Sequence, residues 1–339
     1  MSPQRTIDVH AHILTEEMIR LMQKEAPTSA PQLRRLDERS AVLEVAGITQ
    51  RPFPREAWDL EWRFRDMKKY RVEVQVLSNG PQTFLYEQDA SVTAAFAEIQ
   101  NDQIAALVVQ YPDRFRGLAT LPMQAPERAA EELRRALASL GLRGVHMGSN
   151  VQGRNLDDPN LEPVWAVAQE FGAFVLVHPH KIAAGDRLKS YYFKNLIGNP
   201  LETTIAAASL VFGGVLERYP RINFCFSHGG GFIPYQAGRF VHGWSVRPEP
   251  KQFLDKDPSE SLAHMYHDTI LHSEAALQFL IGSAGASHVL LGSDYPFDMG
   301  YFDGVQQVRS LSISASDQAL ILGDSASALL GMTSATRRS

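Results

Sequence analysis

The sequence predicts a (β/α)8 barrel, and three observations carry that prediction. Strand-like apolar runs alternate with helical segments from Thr6 to Gly292. Several of those runs end in histidine or aspartate, the arrangement expected where a barrel collects its chemistry at the carboxyl ends of the strands. The chain has 339 residues, 44% of them hydrophobic, which suffices for one such domain over 1–339. A doubly wound open sheet is the alternative, but no glycine-rich dinucleotide loop follows the first strand.

Strand one is Thr6 to His12. The charged, proline-containing stretch from Ile13 to Arg55 is too long for a βα loop and reads as an insertion or cap, bounded at 13–56. Trp58 to Tyr70 reads as a helix and Val72 to Leu77 as strand two. Asp89 to Tyr111 is a long helix, Phe115 to Thr120 strand three, and Pro126 to Leu140 a helix. Gly144 to Met147 is strand four, followed by a helix over Leu161 to Phe171. The unbroken apolar run Ala173 to His178 has the pattern of a strand buried on both faces. A helix over Pro200 to Tyr219 leads to strand six, Ile222 to Ser227. Strand seven is placed near His264 to Asp268 and strand eight at His288 to Gly292, with C-terminal helices over 304–339.

Net charge is −5 with both signs mixed, so no nucleic-acid footprint is present in the sequence. The single cysteine, Cys225, lies in an apolar run and reads as a buried thiol in a reducing compartment. Met1 to Arg5 lead straight into strand one, and the longest apolar stretch, Thr203 to Leu216, is too short to span a bilayer. The expectation is a cytoplasmic protein with no membrane or nucleic-acid partner.

His10 and His12 alternate with Ala11 at the end of strand one, so both imidazoles face one way and can grip one transition-metal ion. His178 ends strand five, His228 ends strand six, and Asp294 follows strand eight. A barrel aims all five at one mouth. His10, His12, His178 and Asp294 form the expected ligand set, suited to Zn²⁺, with Mn²⁺ or Fe²⁺ as alternatives. His228 is assigned to proton transfer and Asp294 counts as catalytic as well as ligating. Asp8 is expected on the face of His10, orienting a ligand or forming a salt bridge. Strand four ends in His146-Met147 without the lysine that bridges metal pairs, so one ion is expected. Asp268 is placed within possible reach of the site, and Phe84, Phe297 and Trp244 either flank a planar substrate or pack.

The motifs Asp-x-His10-x-His12, Val-His178-Pro, Ser-His228-Gly-Gly-Gly and Leu-Gly-Ser-Asp294-Tyr-Pro-Phe resemble the amidohydrolase superfamily over nearly the whole chain. They are most similar to its decarboxylase branch, the α-amino-β-carboxymuconate-ε-semialdehyde decarboxylase (ACMSD) group. That resemblance implies the same ligand set, an acid/base histidine at His228, and non-oxidative decarboxylation of a small unsaturated or aromatic acid. It further implies that Arg51 and Arg239 bind substrate carboxylate, Arg239 across the interface of a homodimer. The chain departs from the group at His180, which replaces a tryptophan, and at Tyr191, which aligns with another. Both are therefore assigned to the substrate pocket. The alternative activity is a hydrolase or hydratase acting on a lactone, amide or C=C bond of a small carboxylic acid, because one metal site supports several chemistries.

Overall fold

Eight parallel strands form the wall of a barrel in the computed structural model, which describes residues 5–332. In chain order the strands are β1 (Ile7–Ile13), β2 (Gln32–Arg35), β3 (Ser40–Val45), β4 (Ile48–Pro54), β5 (Val74–Asn79), β6 (Phe115–Gly117) and β7 (Gly144–Gly148). They continue with β8 (Asn150–Val151), β9 (Arg154–Asn155), β10 (Phe174–His178), β11 (Asn223–Phe226), β12 (Tyr266–Asp268) and β13 (Val289–Leu290). The wall runs β1-β5-β6 and then β7-β10-β11-β12-β13. One seam is sewn by Ala119, whose N–H donates to Gly144 O (2.9 Å) and whose carbonyl accepts from His146 N (2.8 Å). At the other, Val9 N donates to Leu291 O (2.8 Å) and His12 N to Tyr295 O (2.7 Å), closing the ring.

Why these runs become wall strands is visible in their burial: every residue of β1, β5, β7 and β10 is buried. β10, covered by helices outside and filled inside, reads as a continuous apolar run up to His178, whereas β1, β5 and β7 bury polar side chains as well. The floor of the bore is packed by Ile7, Val9, Val74, Val76, Leu118, Phe174, Leu176, Cys225 and Leu290. Burial pushes the Cys225 thiol up, which keeps it inert.

Strand β1 holds the one departure that matters for the site. Its pairing with β5 shifts register between Asp8 and Ala11. Ile7 and Val9 pack in the floor of the bore, yet His10 and His12 also face the mouth. Such an irregularity turns the later residues to the opposite parity. Asp8 consequently points away from His10's side and into the layer behind the strand, where Gln75 Nε2 (3.2 Å) and Ser293 Oγ (2.6 Å) donate to it. The expectation that Asp8 shares the face of His10 is corrected by that shift.

Between β1 and the helix Leu60–Lys69 the chain forms a helix, Glu16–Glu25, capped by Thr15, and an antiparallel meander β2-β3-β4. Ala41, Leu43, Val45 and Phe53 bury the meander's inner face, and Phe53 stacks on Trp58 (5.6 Å). The helices Ala90–Gln110, Pro126–Ala138 and Glu162–Phe171 match the sequence periodicity closely. The helix expected over Pro200 to Tyr219 is instead broken into Asn199–Phe212 and Val215–Arg218. Gly214 between them has φ +69°, and a Cβ there would come within 2.3 Å of Phe253 O. The C-terminal helices run from Gly304 to Leu329, and 333–339 lie outside the described residues. No helix among the described residues is long and apolar enough to cross a membrane.

Candidate metal centre

His10 and His12 from β1, His178 from the last position of β10, and Asp294 from the turn after β13 converge at the carboxyl end of the barrel. Their ligand atoms all lie within 4.8 Å of one another, and all four residues are buried. His10 Nε2 stands 3.1 Å from His12 Nε2, and Asp294 Oδ1 stands 3.0, 3.4 and 3.9 Å from the Nε2 atoms of His12, His10 and His178. Four ligands placed tetrahedrally at 2.0–2.1 Å from one ion would be about 3.3 Å apart, so the observed spacing fits a single divalent cation.

The tautomers agree with that fit. His10 Nδ1 donates to Asp268 Oδ2 (2.8 Å), His12 Nδ1 to Asn79 O (3.0 Å) and His178 Nδ1 to Pro179 O (3.0 Å). Each proton is thereby held on Nδ1, and three Nε2 lone pairs converge with an anionic oxygen. His178 Nε2 is buried without a hydrogen-bond partner. A cation satisfies all four groups at once.

Burial pushes His178 down to about 3 and also lowers His12, so both stay neutral near pH 7. Burial opposes charge on His10 too, but the hydrogen bond to Asp268 and the Asp294 and Asp268 charges leave it raised. Burial would raise Asp294; the surrounding His12, His178 and His228 side chains and the charge of His10 hold it well below the usual carboxylate range instead.

His228 sits beside this set with Nε2 3.5 Å from Asp294 Oδ2 and its ring centroid 5.4 Å from that of His178. Its backbone is left-handed (φ 56°), as is that of Asp294 (φ 55°). Two strained non-glycine residues in contact are characteristic of functional sites. Gly230 allows the turn to close: a Cβ there would come within 2.2 Å of His267 Nδ1. Asp268 locks the turn, accepting from His228 N (2.9 Å) and Gly229 N (2.8 Å) with the same carboxylate that holds His10.

A model of the family described as amidohydrolase matches residues 7–332. The chain belongs to the amidohydrolase family. It is 36% identical over 328 residues to a 2-amino-3-carboxymuconate-6-semialdehyde decarboxylase of Dictyostelium discoideum, covering 96% of this chain and 91% of that one. A protein of the same description from Caenorhabditis elegans is 29% identical over 381 residues, covering 97% and 95%. Among solved structures, a dihydroxybenzoic acid decarboxylase from Polaromonas sp. JS666, with bound manganese and 2-nitroresorcinol, superposes with a TM-score of 0.80 at 23% identity, covering 98% of each chain. This amidohydrolase therefore falls in the decarboxylase branch of the family.

Around the amidohydrolase centre, the residues assigned to substrate are placed less uniformly. His180 packs its ring against Phe84 (5.5 Å) and Tyr86 (5.2 Å), with Nε2 3.5 Å from Glu87 Oε1. Arg51 is exposed on β4, next to Gln50, whose side chain bonds Gln82 just past the end of β5. Arg239 is exposed on the helix Ile233–Val246, and Tyr191 is 81% exposed. At the adjacent Tyr192, partial burial first, then Asp298 and Asp294, raise the phenol. His146 in the middle of β7 packs against His12 (5.1 Å) and His178 (5.5 Å), with Nδ1 donating to Asn79 Oδ1 (3.0 Å). Phe297 stacks on His12 (5.2 Å), whereas Trp244 donates to Leu254 O (3.3 Å) under Lys251.

The hold on His10 Nδ1 comes from Asp268, which the sequence placed only within possible reach of the site. A carboxylate ending strand seven was the available signal, but only the position of β12 beside the centre reveals what it holds.

Proposed function

We propose that this chain releases CO2 without oxidation from a small conjugated amino-carboxylic semialdehyde, the substrate class in the names of its two curated relatives. It is a metal-dependent carboxy-lyase, and the observation that carries the finer reading is the 36% identity sustained over 96% of the chain. Those names favour decarboxylation over hydrolysis or hydration. We assign His10, His12, His178 and Asp294 to one ion, Zn²⁺ in first choice from the three-imidazole, one-carboxylate set. The manganese in the structural relative makes Mn²⁺ the alternative. The ion supplies positive charge for anionic oxygen that develops beside it.

The chain's own groups do the rest. Arg51 and Arg239 grip carboxylate through guanidinium forks and orient the bond to be broken. His180 and Tyr191 contribute to the pocket wall. When the C–C bond breaks, its electron pair stays on the ring-side or chain carbon and CO2 departs. His228 then delivers a proton to that carbon from a position beside Asp294, which the hydrogen bonds of Asp268 to the turn keep in place.

The helix carrying Arg239 supports a homodimer. Of its residues only Ile233 is buried, while Tyr235 projects outward against Phe279 (5.9 Å). The exposed Phe232, Tyr235 and Phe279 around this helix suit a second copy of the chain, which would bring Arg239 to the neighbouring site. A cytoplasmic location suits the single buried cysteine.

The test is anaerobic CO2 release from 2-amino-3-carboxymuconate-6-semialdehyde and a panel of hydroxybenzoates, with and without chelator. Chelator-sensitive release from the semialdehyde is expected. Release from hydroxybenzoates alone would overturn the substrate, and no release from protein carrying one ion per chain would overturn the activity.

A further inference from the structure

Behind the metal centre, between β1 and the helix Leu60–Lys69, lies a buried arginine that no part of the mechanism uses. Arg63 is 0% exposed. Its Nη2 donates to the carbonyl of His12 and to Glu56 O (3.1 Å), and its Nη1 donates to Gln75 Oε1 (3.0 Å). Its guanidinium lies 4.8 Å over the ring of Tyr295, whose hydroxyl donates to Asp66 Oδ2 (3.0 Å) on the same helix.

From Arg63 the bonds run in a closed circuit. Gln75 Nε2 donates to Asp8 Oδ2 (3.2 Å), and Asp8 Oδ1 accepts from His10 N (3.1 Å). Ser293 Oγ donates to Asp8 Oδ2 (2.6 Å) and accepts from Tyr295 N (3.2 Å). His12 N donates to Tyr295 O (2.7 Å), returning the circuit to the strand that Arg63 grips. The backbones of His10 and His12 and the two neighbours of Asp294 all belong to it. Three of the four candidate ligands are thus set from behind by one network whose permanent cation is Arg63.

Taking a guanidinium out of water costs several kcal/mol unless its geometry is well satisfied. For general stability an apolar side chain would serve that layer better. A planar fork that reaches a ligand's carbonyl and a ring next to another ligand is suited to fixing distance and angle. Groups held this way around metal ligands change affinity without touching the ion.

We propose that Arg63 is a positioning residue for the metal centre, holding the backbone of His12 in register with Asp294 so that the four ligand atoms keep their spacing. The proposal rests on the metal reading above.

The test compares wild type, Arg63→Lys and Gln75→Met by competition for Zn²⁺ with a chromophoric chelator, alongside melting of the metal-free proteins and kcat and KM at saturating metal. Lysine keeps the charge but loses the fork, and Gln75→Met severs the link to Asp8 while leaving Arg63 in place. Zn²⁺ affinity is expected to fall about 10–100-fold in Arg63→Lys and by less in Gln75→Met, with kcat recovered more fully than affinity once metal is saturating. Unchanged affinity with lowered melting temperature would make Arg63 merely structural and overturn the proposal. If wild type itself binds no divalent ion, the metal reading fails and takes the proposal with it. If Arg63→Lys does not fold, Gln75→Met with wild-type affinity overturns it alone.

Discussion

Two regions of this amidohydrolase are built in different ways. The carboxyl end of β1 is buried on every side, its imidazoles fixed through Nδ1 and its backbone gripped from behind. The helix Ile233–Val246 and the segment carrying Tyr191 lie on the surface, with aromatic side chains turned to solvent. The difference teaches that the candidate ligand set is gathered within one chain, whereas the residues proposed for recognition are spread over its surface. A ligand set needs sub-ångström preorganisation, which only a packed scaffold supplies. In the homodimer proposed above, a second subunit would complete the carboxylate clamp.

The sharpest way to break this comparison is to remove chemistry from the rigid region without disturbing its metal. His228→Ala should reduce kcat by about 10²–10⁴-fold, the usual worth of a positioned proton donor, while metal content stays at the wild-type value. Turnover within a few-fold of wild type would remove His228 from the proton path. Metal loss in parallel would make His228 a ligand instead.

The second experiment addresses the exposed region. Arg239→Ala should lower kcat/KM by about 10–100-fold through loss of a charge-assisted hydrogen bond. If Arg239 serves the partner's site, co-expressing Arg239→Ala with His228→Ala restores one intact site in each mixed dimer. Random pairing then returns about a quarter of wild-type activity. No restoration, with mixed dimers verified by differential tagging, would place Arg239 in its own subunit's site or outside any site.

The same contrast explains what the sequence made legible. β10 was visible because a strand buried on both faces is apolar along its length, and a histidine ending such a run has few places to point. His10, His12, His178, His228 and Asp294 could therefore be brought together from their positions alone. Asp268 could be placed within reach of the site, but its hold on His10 and the place of Arg63 were not readable, because their partners lie far away along the chain and only the closed barrel supplies the adjacency. The face of Asp8 was misread for a subtler reason: a register shift between Asp8 and Ala11 leaves no mark in an alternating pattern. The break after Phe212 was written in Gly213-Gly214, but only the approach of Phe253 O shows why the helix must stop there.

The smallest effect separates the ligand histidines from a histidine that shares their burial and lacks their work. His267 on β12 precedes Asp268, so strand alternation turns it to the helix layer, where burial pushes it down to about 4 from an ordinary 6.5. Its Nδ1 has no partner among the described residues. Because the unfolded chain takes up a proton near pH 6.5 and the folded chain does not until about pH 4, the unfolded state binds more protons in that window. Stability from this group is therefore full above pH 6.5 and declines as pH falls toward 4. In metal-free protein, His267→Gln should flatten the acid slope of unfolding free energy by about one proton between those limits, with kcat of the metal-loaded enzyme within about two-fold of wild type, as expected for a change outside the site. An unchanged slope would show that His267 is protonated in the folded protein, and a large loss of kcat would show that the packing of His267 against the Gly230 turn is what keeps His228 in place.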